Sequence, residues 1–175
     1  MLKSLGPYIF ENLKRRKKIK RASLPQDSFY LRKMKEGDLP FVLEIENVSF
    51  PNPWHEMTFR GEIYNQPISS PFVIVFKPQN KVIGYLVSWQ IRKQLQINNI
   101  AIHPDFRRMG IAEAVMHKVL SEIRMGEIEL VTLEVRPSNI AARSLYNKLG
   151  FDVLGIKENY YHNPPEPAIV MGKKL

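Results

Sequence analysis

The junction around Gly110 constrains this chain more than any other stretch. On its N-terminal side, Ile97 to Ile102 has strand composition, and Pro104 ends that strand by withdrawing a backbone donor. On its C-terminal side, Ile111, Val115, Val119 and Ile123 recur on one face of a helix. A strand must therefore hand over to a helix within a tight basic turn that holds Arg107, Arg108, Met109 and Gly110. The first N–H groups of a helix have no internal partner and carry the positive end of its dipole. Gly110 and Ala112 leave room for a bulky anion to reach the main chain, and the arginines add two charges. The turn reads as a phosphate cradle. It lacks the Lys-Ser/Thr of a P-loop and the three glycines of a dinucleotide fingerprint. Taken alone, Arg-x-x-Gly-x-Ala is equally compatible with a solvated basic turn.

One helix and one strand further on comes Leu130-Val131-Thr132-Leu133-Glu134-Val135-Arg136, then Pro137-Ser138-Asn139 and a run ending Leu-Tyr-Asn-Lys-Leu-Gly-Phe at Phe151. Together with the turn, this resembles the GNAT superfamily of acetyl-CoA-dependent N-acetyltransferases. Arg107 to Ala112 (Arg107, Arg108, Met109, Gly110, Ile111, Ala112) matches that family's pyrophosphate-binding signature. The Leu-Glu-Val-Arg-Pro-Ser-Asn run with Ala-Arg-Ser-Leu-Tyr-Asn-Lys-Leu-Gly-Phe is similar to one branch, the ribosomal-protein-alanine N-acetyltransferases. The resemblance extends over about Tyr30 to Met171. It implies acetyl-CoA as donor and the N-terminus of a protein or peptide, such as a ribosomal protein, as acceptor.

At 175 residues the chain suits one domain with a real hydrophobic core. It has no cysteine, which excludes disulfides, thiolate metal sites and a cysteine nucleophile, and fits a reducing cytoplasm. No apolar run is long enough to span a membrane, and Met1 to Arg21 lacks the apolar core of a signal peptide. A cytoplasmic protein without a membrane partner is expected. Of the formal charge of +9, Met1 to Ser23 carries +7, which leaves +2 for the rest. Leu5, Tyr8, Ile9 and Leu13 have helical spacing ahead of that basic cluster. Residues 1–28 are thus expected to be a basic arm, helical or disordered, with a linker at Leu24 to Ser28, and residues 29–175 the acetyltransferase domain. The arm is either a solvated segment or a weak contact to RNA or the ribosome.

In order, Phe29 to Met34 reads as a strand. Gly37-Asp38 should cap a helix from Leu39 toward Phe50 that buries Leu39, Val42, Leu43 and Ile45. Pro51-Asn52-Pro53 ends it, and Trp54 to Tyr64 forms a second helix. After a loop at Pro67 to Pro71, strands Phe72–Lys77, Val82–Gln90 and Ile97–Ile102 make an antiparallel meander, joined at Pro78 to Asn80 and across Ile91 to Gln96. Past the basic turn and its helix come strand Leu130–Arg136 and a helix to Leu149, capped by Ser138 or Asn139 and closed by a left-handed Gly150. Strands Phe151–Lys157 and Ala168–Lys173 flank a loop at Glu158 to Pro167. The fold class is mixed α/β, a single GNAT-like domain with one strongly twisted sheet and helices on both faces.

Acetyl transfer from a thioester to an amine needs a base for the amine, donors for the oxyanion and a proton for the thiolate. Without a cysteine nucleophile, direct attack in a ternary complex is the simplest scheme. Glu134 is the candidate base. A carboxylate inside an apolar strand is costly unless paired or used, and partial desolvation would suit it to base work. Its structural alternative is an ion pair with Arg136 or Arg143. The resemblance places the family's base at Glu134 and its acid at Tyr146, whose phenol could protonate the departing thiolate. Asn139 is a helix cap, a CoA contact, or both. Ile100, Ala101 and Ile102 should offer backbone groups to pantetheine and the acetyl carbonyl where their strand splays from Leu130–Arg136. Phe50 to Trp54 resembles the family's aromatic-proline run beside the acceptor, with core packing as the alternative for Trp54. Tyr160 and Tyr161 lie in the loop that flanks the acceptor peptide in the family, with an aromatic loop plug as the alternative. Pro167 stands where the family has a second acidic residue, so peptide specificity is open. His55, His103, His117 and His162 lack metal-ligand spacing, and no metal is assigned. Lysine or small-amine acetylation, and a polyanion-binding module on a retained acetyltransferase fold, are the competing readings.

Overall fold

Val, Ile, Phe and Tyr crowd the stretch from Pro71 to Ile102, and a pleated sheet buried on both faces is where such residues pack best. In the computed structural model, which describes residues 24–65, 67–123 and 128–175, that stretch forms the middle of a seven-stranded sheet. The strands are β1 (Phe29–Lys33), β2 (Ser69–Phe76), β3 (Lys81–Ile91), β4 (Gln94–Ile102), β5 (Leu130–Val135), β6 (Asp152–His162) and β7 (Pro165–Lys174), in spatial order β1-β2-β3-β4-β5-β7-β6. All neighbours are antiparallel except β4 and β5, which run parallel. The expected arm, Met1 to Ser23, lies outside the described residues.

Among the described residues four α-helices cover the sheet: α1 (Leu39–Ser49), α2 (Glu56–Tyr64), α3 (Ile111–Ile123) and α4 (Ile140–Lys148). On one face, Leu39, Val42 and Ile45 of α1 and Phe59 of α2 pack on Val73, Val75, Tyr85 and Val87. On the other, Ile111, Val115, Met116 and Leu120 of α3 and Tyr146 of α4 pack on Ile74, Ile83, Leu86 and Leu133. Leu24 joins this second core and donates its N–H to the Met109 carbonyl at 3.1 Å. No described helix is long and apolar enough to cross a membrane.

Three local expectations need correction. Asp38 does not cap α1 with its side chain. Its carboxylate takes both arms of the Arg32 guanidinium, at 2.6 and 2.7 Å, and the Lys35 N–H at 2.9 Å. The connection expected across Ile91 to Gln96 shrinks to Arg92-Lys93, with Arg92 at φ 53°. Gln94 to Gln96 are extended because β3 pairs with them on one side and Leu130 to Thr132 on the other. The expected loop Glu158 to Pro167 is mostly strand, turning only at Asn163-Pro164. Arg136 holds that turn, donating to the carbonyls of Asn163 (3.1 Å) and Pro164 (2.9 Å) while lying over the Tyr161 ring. The ladder is interrupted between Lys157 and Tyr161, where Asn159 takes φ 55°.

Candidate active site

The parallel pairing of β4 with β5 runs from Gln94↔Leu130 to Ile97↔Leu133 and stops there, although β4 continues to Ile102 and β5 to Val135. On its other side β4 carries a bulge, since Val87 pairs with Asn99 and Ser88 with Ile97, leaving Asn98 out of register. The two strands part at this point, where the family resemblance implied that they would. A cleft of about 680 Å³ opens between them. The side-chain nitrogen of Asn98 is buried there without a hydrogen-bond partner among the described residues.

Glu134 stands on β5 just past the last paired residue, its side chain 10% exposed at the cleft. Its carboxylate accepts from Lys157 Nζ at 2.7 Å and from Gln96 Nε2 at 3.1 Å. The ion pair considered as an alternative, with Arg136 or Arg143, is not the one found. Arg136 is bound to Glu166 and the β6–β7 turn, and Arg143 donates to the Pro137 carbonyl. Tyr146 reaches the same cleft from α4 and is 6% exposed. Burial pushes its phenol up to about 12, so the hydroxyl keeps its proton throughout the neutral range.

Asn139 is the cap of α4, its Oδ1 accepting the Ala142 N–H at 3.1 Å, and Gly150 closes that helix at φ 78°. Asn139 also lines the cleft, as do Trp54, Ile100, Tyr160 and Tyr161. Tyr160 meets Tyr161 edge to face, and Tyr161 beneath the Arg136 guanidinium is likewise pushed up to about 12, chiefly by burial. Glu166 accepts from the Ser138 hydroxyl and N–H and from Arg136, which hold its carboxyl below the usual range.

The basic turn lies outside the walls of this cleft. Arg108 and Gly110 take left-handed backbone angles, φ 61° and 77°, so the chain coils tightly ahead of α3. Met109 and Ile111 turn their side chains into the core, and Ala101 and Ile102 are buried too, so these four can meet a ligand only through main-chain groups. Arg107 makes contacts within the chain that the sequence did not indicate. Its guanidinium donates to the Ile102 carbonyl at 2.8 Å and to Ser49 Oγ at 2.7 Å, tying the turn to the end of α1. Arg108 is exposed.

Glu46 was not anticipated. It is 1% exposed at the floor of the cleft, accepting from the Trp54 N–H at 2.8 Å, from the Tyr85 hydroxyl and from Asn99. Burial raises its carboxyl above the ordinary value, and those donors offset part of the rise. A signal existed, because Glu46 follows Leu39 by seven residues and so falls on the buried stripe of α1. Among the described residues no group of three His, Asp or Glu is placed to hold a metal.

The sheet splays where its parallel pair ends, and just after β4 the chain coils tightly into α3. The model of the Acetyltransferase (GNAT) family matches residues 39–151, and the chain belongs to that family. It is an N-acetyltransferase. The [ribosomal protein bS18]-alanine N-acetyltransferase of Escherichia coli K12 is 32% identical over 139 residues, covering 77% of this chain and 89% of that protein. The crystal structure of the ribosomal-protein-S18-alanine N-acetyltransferase from Escherichia coli superposes with a TM-score of 0.75 at 28% identity, covering 83% of this chain and 93% of that one. Ard1 from Thermoplasma volcanium gives 0.76 at 26% identity, over 85% and 98%.

Proposed function

We propose that the protein acetylates the α-amine of an N-terminal alanine on a ribosomal protein, by direct transfer within a ternary complex in the cytoplasm. The observation that carries this reading is the placement of Glu134 and Tyr146 in one cleft, where β4 and β5 part. Acetyl-CoA, when bound, supplies an acetyl group activated as a thioester. The end of β4 that β5 no longer pairs, Ile100 to Ile102, offers main-chain groups on that free side to the pantetheine arm and the acetyl carbonyl. The turn Arg107 to Ala112 presents helix-start N–H groups and the Arg108 charge to the pyrophosphate. Asn139, already spent on its helix cap through Oδ1, has its amide nitrogen left for the cofactor. Glu134 takes the ammonium proton and Tyr146 protonates the departing thiolate. Trp54, Tyr160 and Tyr161 form the walls against which the acceptor peptide lies. Residues 29–175 carry this chemistry, and the arm of residues 1–28 adds a salt-sensitive contact to ribosomal RNA.

The test is a mass-spectrometric time course with acetyl-CoA and a lysine-free peptide that begins with alanine. The expected product is the peptide acetylated at its α-amine with release of free CoA. A folded protein that binds acetyl-CoA and leaves this peptide unmodified would overturn the reading.

A further inference from the structure

The cation bound to Glu134 has the same chemistry as the group Glu134 must receive. Lys157 is a primary ammonium 2.7 Å from Glu134 Oε1, and an acceptor α-amine arrives as a primary ammonium too. The two differ in tether. Lys157 hangs from β6, the last strand of the sheet, directly before the interruption of the β6–β7 ladder, and its side chain is 51% exposed. Glu134, by contrast, is held from behind by Gln96 and is nearly covered. The bond to Glu134 raises the ammonium of Lys157 above its ordinary range, so it stays charged wherever an acceptor can react. The Tyr160 ring centroid lies 5.6 Å from Nζ, a second favourable seat for a cation displaced from the carboxylate.

We infer that Lys157 is an intramolecular competitor for the acceptor: it occupies the ammonium position on Glu134 in the resting enzyme and must be displaced before the acceptor amine can bind. This rests on the reading of Glu134 as the base. Lys157 is a specificity-setting residue in this scheme, not a catalytic one. A pre-equilibrium of this kind weakens every acceptor by one factor, the fraction of enzyme with Glu134 free. It leaves the acetyl-CoA site alone.

The experiment measures KM and kcat for a peptide beginning with alanine and for alanine amide, which has the reacting amine but no peptide chain. Wild type is compared with Lys157→Gln, Lys157→Arg and Glu134→Gln, all full-length. Partly exposed ion pairs contribute up to about 1 kcal/mol, so Lys157→Gln should lower KM by roughly two- to fivefold. The factor should be the same for peptide and amide, with the KM for acetyl-CoA unchanged. Lys157→Arg keeps a cation on Glu134 and should retain the wild-type KM values. Several results would overturn the inference: an unchanged or higher acceptor KM in Lys157→Gln, a fall for the peptide alone, or the same fall in Lys157→Arg. Glu134→Gln separates the two layers. If it turns over like wild type, the base assignment fails and this inference with it. If it is impaired while Lys157→Gln leaves acceptor KM unmoved, only the role of Lys157 is lost.

Discussion

The guanidinium of Arg107 bridges the strand end and the first helix, donating to the Ile102 carbonyl and to Ser49 Oγ 2.7 Å away. Ser49 in turn donates to the Ile45 carbonyl, so the turn before α3 is linked through one side chain to the helix that walls the cleft. Arg107 and its neighbour Arg108 should therefore separate experimentally. Arg107→Ala is expected to lower the melting temperature and raise the acceptor KM. Arg108→Glu should weaken CoA by roughly tenfold with the melting temperature unchanged, because it reverses charge at a helix start. CoA titration by calorimetry beside thermal unfolding checks both. Equal loss of CoA affinity from the two variants would contradict this division.

Tyr146→Phe removes the hydroxyl and leaves the ring against Phe151 in the core. Turnover should fall by on the order of 10²-fold, the scale of a lost general acid, with CoA affinity and fold retained. The buried phenol also links to stability. Its folded value near 12 lies above the ordinary 10.0, so the stabilisation is complete below pH 10 and is lost as pH rises through 12. Unfolding titrations of the two proteins should diverge only in that alkaline window.

Glu134→Gln keeps the size of the side chain and removes the proton acceptor. Turnover at neutral pH should drop by on the order of 10²-fold and recover in part at alkaline pH, where free amine no longer needs a base. A rate–pH profile parallel to wild type would exclude Glu134 as base.

Much of this arrangement was legible in the sequence where a local rule decides the structure. The handover at Gly110, the Asn139 cap and the left-handed Gly150 each follow from backbone chemistry within a few residues. What escaped depends on partners distant in the chain. Glu158 to Pro167, rich in proline and polar residues, reads as a loop, yet Arg136 from β5 pins its turn and makes a hairpin of it. The contacts of Arg107 had no local signature, because Ile102 and Ser49 come together with it only in the folded chain. Glu134 reads as a base with a nearby arginine as its alternative partner, whereas the partner is Lys157, twenty-three residues on, which reaches it across the sheet.

Glu46 gives a prediction about stability. Glu46→Ala should cost about 2–4 kcal/mol, since it leaves a cavity and strands the Trp54 N–H and the Tyr85 hydroxyl. Glu46→Gln should cost less and change the pH dependence. The folded value of Glu46 is raised, so its protonated form is favoured by folding. Wild-type stability drawn from that protonation is complete below the ordinary 4.5 and is lost as pH climbs through the folded value. The Gln variant should lack this component in denaturant unfolding across the acid range. Parallel curves for the two proteins would contradict it.

Acceptor choice is the most direct test of the whole account. An α-amine with a pKa of about 8 is roughly one-tenth neutral at pH 7, whereas lysine near 10.4 is neutral in about one molecule in a few thousand. A single carboxylate such as Glu134, already sharing its charge with Lys157, suits the first acceptor far better than the second. The measurement is a pair of matched peptides at neutral pH, one with a free N-terminal alanine and no lysine, the other N-terminally blocked with an internal lysine. The account predicts rapid acetylation of the first and at most slow acetylation of the second. Equal or faster acetylation of the blocked lysine peptide would contradict it.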